Sequence, residues 1–194
     1  MKLVQLVLCG LVFHASTAFA ADRDGRFAMK GAGFVPCKTY VNEREKRSDI
    51  YYMIGGWLDG FIAGHNKYND DTYDITSFES SELLLNLIQN HCKSNPSDRL
   101  HSVVTSLIVQ LNPVRLRRES SRVEIKEGKR KTVLYRVTIR RIQTELTRLG
   151  LYKGKVNGRF SDATRSAIIA FQSDLDFDKT GFPDQTTLWR LLRK

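Results

Sequence analysis

The residue types that could support catalysis or metal binding are scattered in this chain. His65, His91 and His101 lack the H-E-x-x-H spacing of a zinc site, and no serine lies in a G-x-S-x-G turn. Two aspartate groups, in residues 70–74 and 174–178, depart from the calcium-loop pattern with its fixed glycine. The sequence therefore predicts no catalytic residue, no metal site and no cofactor, and it disfavours an amidase or peptidase.

The first twenty residues have the pattern of a secretory signal peptide. Lys2 precedes an apolar run over residues 3–13, and Ala18-Phe19-Ala20 forms an A-x-A cleavage site. The run is short for a membrane span, so we expect cleavage after Ala20 and a periplasmic protein that is not integral to the membrane. An uncleaved anchor is the alternative.

Two cysteines remain after this cleavage, Cys37 and Cys92. Disulfides form and persist in exported proteins, so we expect these two to pair. Closing a loop of this size stabilises a fold by about 4 kcal/mol in the chain-entropy model. Two buried thiols are the alternative.

Length and charge indicate two small domains. The chain has 194 residues, of which 41% are hydrophobic and 27% charged, and its net charge is +10. The net charge is −2 over residues 21–112, +6 over residues 113–136 and +5 over residues 137–194. This change predicts a domain boundary after Pro113. A basic exported protein needs an anionic partner, such as lipid headgroups or the carboxylates of the cell wall, rather than nucleic acid.

Residues 21–112 are expected to form a helical domain. Apolar periodicity predicts helices from Ser48 to His65, from Ser80 to Cys92, and from an Asn95 cap to Leu111. Glycines 56, 60 and 64 lie four apart on one face of the first helix, which favours close packing by another segment. A ligand groove is the alternative.

Two segments of this domain, with the helix that follows the second, are similar to known proteins. They are residues 56–64 (GWLDGFIAG) and 91–96 (HCKSNP). They are similar to small disulfide-stapled helical domains of exported bacterial proteins, including Hde-type acid-stress chaperones and Tai-type immunity proteins. The resemblance implies a helical bundle with one disulfide. It implies no particular function, because those proteins differ in function.

The segment 113–136 is strongly basic, and its favoured interpretation is an exposed linker. The alternative is a short β-hairpin with Gly128 in the turn, because residues 123–125 and 132–135 are β-forming stretches on either side of it.

Residues 137–194 contain an internal repeat. Gly158 and Gly181 are each followed, after two residues, by a helix-capping residue, Ser161 or Asp184. A threonine then follows three positions after each cap, and an apolar helix begins. With the helix that ends at Gly150, this pattern predicts three helices.

A larger set of residues in this segment resembles the peptidoglycan-binding domain type 1 family, over about residues 137–192. The matching residues are Ile142-Gln143, Leu146, Leu149-Gly150, Tyr152, Val156-Asn157-Gly158, Phe160, Thr164, Ala167, Phe171-Gln172, Gly181, Thr187 and Leu191. The resemblance implies a three-helix domain that binds peptidoglycan without cutting it. The chain departs from the family pattern at Asn157, at Ser161 and at Asp176-Phe177, and the last pair alters a loop near the presumed ligand face.

Four polar-headed residues near the loops are the candidate peptidoglycan contacts: Tyr152, Asn157, Arg159 and Arg165. Arginine can bind carboxylates through two hydrogen bonds, and tyrosine can pack on a sugar ring. Trp189 is interpreted as a core residue rather than a stacking platform, because it lies in an apolar helix.

The predicted fold is mainly α, with two small helical domains joined by the basic segment. The predicted function is an exported, non-catalytic protein that binds peptidoglycan through its C-terminal domain and holds the first domain at the wall. The alternative is a periplasmic chaperone, inhibitor or immunity protein whose first domain binds a protein partner.

Overall fold

The computed structural model describes Asp22, Asp24 and residues 26–193. The predicted signal peptide and its cleavage site lie outside the described residues. The described chain forms seven α-helices and one two-stranded sheet, which confirms the mainly α prediction. No helix in this part of the chain combines the length and the apolar character needed to cross a bilayer.

The elements fall into two groups. The N-terminal bundle comprises α1 (Cys37–Lys46), α2 (Asp49–Tyr68), α3 (Ser81–Ser94) and α4 (Leu100–Leu111). The C-terminal unit comprises β1 (Arg122–Glu127), β2 (Arg130–Tyr135), α5 (Arg136–Arg148), α6 (Asp162–Asp174) and α7 (Gln185–Leu192). Short 3-10 turns occupy Gly31–Phe34 and Asn112–Val114.

The N-terminal bundle packs around the predicted disulfide between Cys37 and Cys92. Both cysteines are buried, so the bond joins the start of α1 to the end of α3 inside the apolar core. Ser48 and Ser80 cap α2 and α3, and each side chain accepts a backbone N–H bond from the first turn of its helix.

The predicted start of the last helix in this bundle was wrong. Helix α4 begins at Leu100, whereas Asn95 ends α3. The intervening residues pair with the start of α1 instead: Cys37 donates to the Asp98 carbonyl at 2.7 Å, and Lys38 donates to the Pro96 carbonyl at 2.9 Å. Tertiary pairing has therefore overridden the local capping signal.

The glycine face of α2 is not closely packed, contrary to the favoured interpretation. A Cβ placed at Gly56, Gly60 or Gly64 would meet no atom within 4 Å. A close approach of another segment therefore does not explain these three glycines.

The basic segment forms the β-hairpin rather than an exposed linker. β1 and β2 pair antiparallel from Arg122 opposite Tyr135 to Glu127 opposite Arg130, and Gly128 in the turn has φ +56°. The side chains of Ile125 and Leu134 are buried in the same apolar cluster as helices α5–α7. The hairpin is therefore part of the C-terminal unit.

The loop between α2 and α3 packs against the C-terminal unit and so holds the two groups together. Phe78 of this loop is buried in the core of the C-terminal unit, and Gln185 bonds to it from the start of α7. The Gln185 amide donates to the Phe78 carbonyl at 2.9 Å and accepts the Ser80 N–H at 2.8 Å. Beside them, the carboxylate of Glu79, with no exposed surface, forms an ion pair with Arg193. The two units are thus directly docked.

Candidate functional site

A buried glutamine on α5, Gln143, organises the turn that carries two of the candidate contact residues. Its Oε1 atom accepts the backbone N–H groups of Asn157 at 3.0 Å and Gly158 at 2.9 Å. Its Nε2 atom donates to the Arg159 carbonyl at 2.9 Å and to the Thr164 hydroxyl at 3.1 Å. One side chain therefore fixes both the turn and the start of α6.

The second repeat has the same arrangement around Gln172 on α6. Its Oε1 atom accepts the Gly181 N–H at 2.8 Å, and its Nε2 atom donates to the Phe182 carbonyl and the Thr187 hydroxyl, both at 3.1 Å. The caps correspond as well, because Ser161 and Asp184 each accept the N–H of the threonine three positions later. The sequence repeat thus reflects two glutamine-centred turns.

The first of these turns requires glycine at position 158. Gly158 has φ +72°, where side chains are disfavoured. A Cβ there would also lie 2.6 Å from the Arg136 carbonyl oxygen. The turn is therefore held directly against the first turn of α5.

Tyr152 supports this turn from the inside. Its residue surface is 5% exposed, and its hydroxyl donates to the Lys155 carbonyl at 3.0 Å and lies 3.4 Å from the Gln143 amide nitrogen. The ring belongs to the apolar core of the C-terminal unit. This candidate residue presents little surface to a ligand.

The other candidates differ in how free they are to bind. Asn157 is half-buried and accepts the Arg159 N–H at 2.9 Å, which fixes the turn. The Arg159 side chain is exposed, and its guanidinium has no hydrogen bond or ion pair within the described residues. Arg165 forms an ion pair with Glu127 of the hairpin and lies 5.5 Å over the Phe160 ring.

The structure therefore brings Tyr152, Asn157 and Arg159 together around Gln143. Arg165 does not belong to this group, because its side chain lies next to Gly181 and pairs with the hairpin. Trp189 is half-buried against the core of the C-terminal unit, and it also borders a small apolar crevice of about 160 Å³ lined by α3 and α4.

Two aspartates of the loop after α2 are already paired with other side chains of the chain. Asp71 pairs with Arg115 and Arg117, and Asp74 accepts the Tyr135 hydroxyl at 2.8 Å. Within the described residues, no three His, Cys, Asp or Glu side chains are grouped so that they could hold a metal ion. Burial and the charge of Arg115 lower the pKa of His65.

The hairpin, which is part of the C-terminal unit, carries both positive and negative side chains. Glu124 on β1 lies between Lys126 and Lys131, at 2.6 and 2.5 Å. Hydrogen bonds from these two lysines lower the pKa of Glu124 to about 2, so it stays ionised at any physiological pH. These three residues form a local ion-pair network on the hairpin.

Comparison with known proteins agrees with the fold of this region. Residues 136–191 match the family model of a peptidoglycan binding domain. This range extends from the first residue of α5 to the last turn of α7. The match supports a C-terminal peptidoglycan-binding domain and a binding rather than a catalytic role for it. No curated protein and no solved structure matches the chain. The resemblance of the N-terminal bundle to Hde-type and Tai-type proteins stays a prediction.

Sequence reasoning missed the role of the two glutamines, although both stood among the residues that carried the resemblance. Each follows a buried apolar residue, Ile142 or Phe171, on the inner face of a helix. A polar residue at a core position of a predicted helix is the signal that could have identified them, because a buried amide needs partners.

Proposed function

We propose that this protein is exported to the periplasm and binds peptidoglycan without cleaving it. In this proposal the C-terminal unit attaches to the wall and holds the N-terminal bundle there. The observation that carries the proposal is the family match over residues 136–191, combined with the turn at Asn157–Arg159, whose geometry is fixed from within by Gln143. Cleavage after Ala20 and the periplasmic location are parts of the same proposal, and the buried disulfide fits an extracytoplasmic location.

Among the four candidate contacts, Arg159 is the residue best suited to touch the wall. Its exposed guanidinium is next to a rigid turn, so binding a carboxylate requires little ordering of the backbone. Asn157 and Tyr152 would shape the turn, and Arg165 would have to exchange its partner Glu127 for a ligand. Direct contact by any of the four stays a prediction.

Co-sedimentation with purified sacculi tests the proposal. Residues 21–194 should pellet with sacculi but not with chitin, and binding should weaken at high salt because exposed ion pairs are screened. Arg159→Gln should bind several-fold more weakly than the matched control Arg190→Gln, which removes an equal charge at an exposed site on α7. Recovery of the wild-type protein in the supernatant would refute peptidoglycan binding. Release of soluble muropeptides would refute the non-catalytic role.

A second candidate function, recognition of a protein partner by the N-terminal bundle, is favoured by the exposed face of α2. Tyr52 and Met53 are 60% and 53% exposed and lie beside the unpacked glycines 56 and 60. A photo-crosslinking residue at Met53 should capture a discrete partner in cells, whereas the same residue at Val133 of the hairpin, which is 47% exposed, should not. Identical crosslinks from both positions would count against a specific partner.

A further inference from the structure

A basic cleft lies between the end of the N-terminal bundle and α5, and we refer to it as the arginine cleft. Its volume is about 650 Å³. Two acidic residues, Asp71 and Glu119, also border it. The arginines that line it are Arg115, Arg117, Arg118, Arg140 and Arg141. Five guanidinium groups against two carboxylates make the cleft attractive to anions.

Part of the arginine cleft already binds a carboxylate of the chain itself. The Asp71 carboxylate pairs with Arg117 and lies 3.3 Å from an Arg115 guanidinium nitrogen. Arg115 also donates through Nε to the Asp71 carbonyl at 3.1 Å. The guanidinium groups of this cleft are therefore placed where a carboxylate can be bound by more than one of them.

Two of the three remaining arginines are available to a ligand. Arg118 and Arg140 are exposed, and neither guanidinium has a hydrogen bond or ion pair in the part of the chain that the structure describes. Arg141 is held in place, because it donates to the Val114 carbonyl at 2.6 Å. Burial and the charge of Arg193 lower the pKa of Arg141, so an anion close to it would be favoured.

The arginine cleft adjoins the turn at Asn157–Arg159 through one side chain. Arg140 lines the cleft, and its Cγ atom would lie 2.9 Å from a Cβ placed at Gly158. One α5 side chain thus borders both features. A polymer bound at Arg159 would therefore lie close to the cleft.

We propose that the arginine cleft binds free carboxylates of peptidoglycan stem peptides, with Arg118 and Arg140 as their ion-pair partners. This inference rests on the proposed function and adds a second contact to it. Arg118 lies outside the range 136–191 that matches the family model and Arg140 lies inside it, so this contact would combine a residue of the family domain with one that precedes it. The chain's own carboxylate in the cleft and the proximity of Arg140 to the turn favour this ligand over a phosphate headgroup.

The test compares Arg118→Gln/Arg140→Gln with Arg190→Gln/Lys93→Gln in residues 21–194. The second pair removes the same charge at exposed positions away from the cleft. Binding is measured on intact sacculi and on sacculi whose carboxylates have been converted to neutral methylamides. We expect the cleft variant to bind intact sacculi about fivefold to tenfold more weakly than the control variant, since each exposed ion pair contributes modestly. On amidated sacculi the two variants should bind equally.

The outcomes separate this inference from the proposed function. If the cleft variant matches the control while Arg159→Gln is impaired, the cleft proposal is overturned and peptidoglycan binding stands. If the wild-type protein does not bind sacculi, both proposals are overturned. An equal loss on native and amidated sacculi, or a loss confined to phosphatidylglycerol vesicles, would overturn the carboxylate assignment. Thermal unfolding by circular dichroism establishes that each variant is folded.

Discussion

The glutamine-centred turn at Gln143 allows a quantitative prediction. Gln143→Met keeps the length of the side chain but removes its three hydrogen bonds to the backbone, at Asn157, Gly158 and Arg159. The Thr164 hydroxyl can rotate to another partner. The variant therefore measures what the backbone of this turn loses.

The expected cost follows from the burial of each group. The Gly158 N–H is buried, so leaving it without a partner costs about 1–3 kcal/mol. The bonds to Asn157 and Arg159 are only partly buried, and water can replace the amide there, so each should cost about 0.5–1 kcal/mol. The sum is a loss of about 2–5 kcal/mol in the free energy of unfolding.

Urea denaturation followed by tryptophan fluorescence measures this loss. Gln172→Met removes two buried backbone bonds in the second repeat, to Gly181 and Phe182, and should be destabilised by a similar amount. Gln110→Met, at an exposed position on α4, should change the free energy by less than about 0.5 kcal/mol. If Gln143→Met also falls below about 1 kcal/mol, the turn does not depend on its glutamine, and the reasoning is refuted.

Three further perturbations have outcomes that the structure determines. Replacing Cys37 and Cys92 by serine should lower the free energy of unfolding by about 4 kcal/mol, because the unfolded chain is no longer cross-linked. Urea denaturation with and without reductant measures this loss. Equal stability of the variant and the oxidised wild-type protein would contradict the prediction. Arg193→Ala leaves the buried Glu79 carboxylate without its partner and should cost about 3–5 kcal/mol, whereas adding Glu79→Gln should recover part of the loss in a double-mutant cycle. Burial raises the pKa of Tyr40 to about 12, so the stability it contributes is present below pH 10 and is lost as the pH rises through 12. Tyr40→Phe should therefore lack one tyrosinate transition near pH 12, and an unchanged absorbance titration would refute the assignment.

The C-terminal unit could be predicted largely from the sequence because its signals are local. Ser161 and Asp184 bond to their own helices, and Gly150 and Gly158 adopt positive φ angles where the turns require them. Each signal acts within a few residues, so a pattern in the chain corresponds directly to a feature of the fold. The internal repeat strengthened the prediction, because the same local rules applied twice.

The N-terminal bundle was predicted less completely because its structure depends on distant contacts. Helix α1 was not expected, since only Cys37 and Tyr40 of its ten residues are buried and they leave no apolar stripe to detect. The start of α4 was misplaced because Pro96 and Asp98 pair with residues that lie about sixty positions away. Long-range pairing of this kind leaves no signal in a local window.

The docking of the two units determines whether the N-terminal bundle would keep a fixed orientation when the C-terminal unit binds the wall. Phe78 and Glu79 belong to the loop between α2 and α3, yet Phe78 is buried in the C-terminal core and Glu79 is paired with Arg193. A flexible linker would leave the N-terminal bundle free to rotate after attachment. Here the same loop also places Asp71 at the arginine cleft, where it pairs with Arg115. Attachment through this surface would therefore hold the exposed face of α2 in a fixed orientation, which a tether alone would not provide.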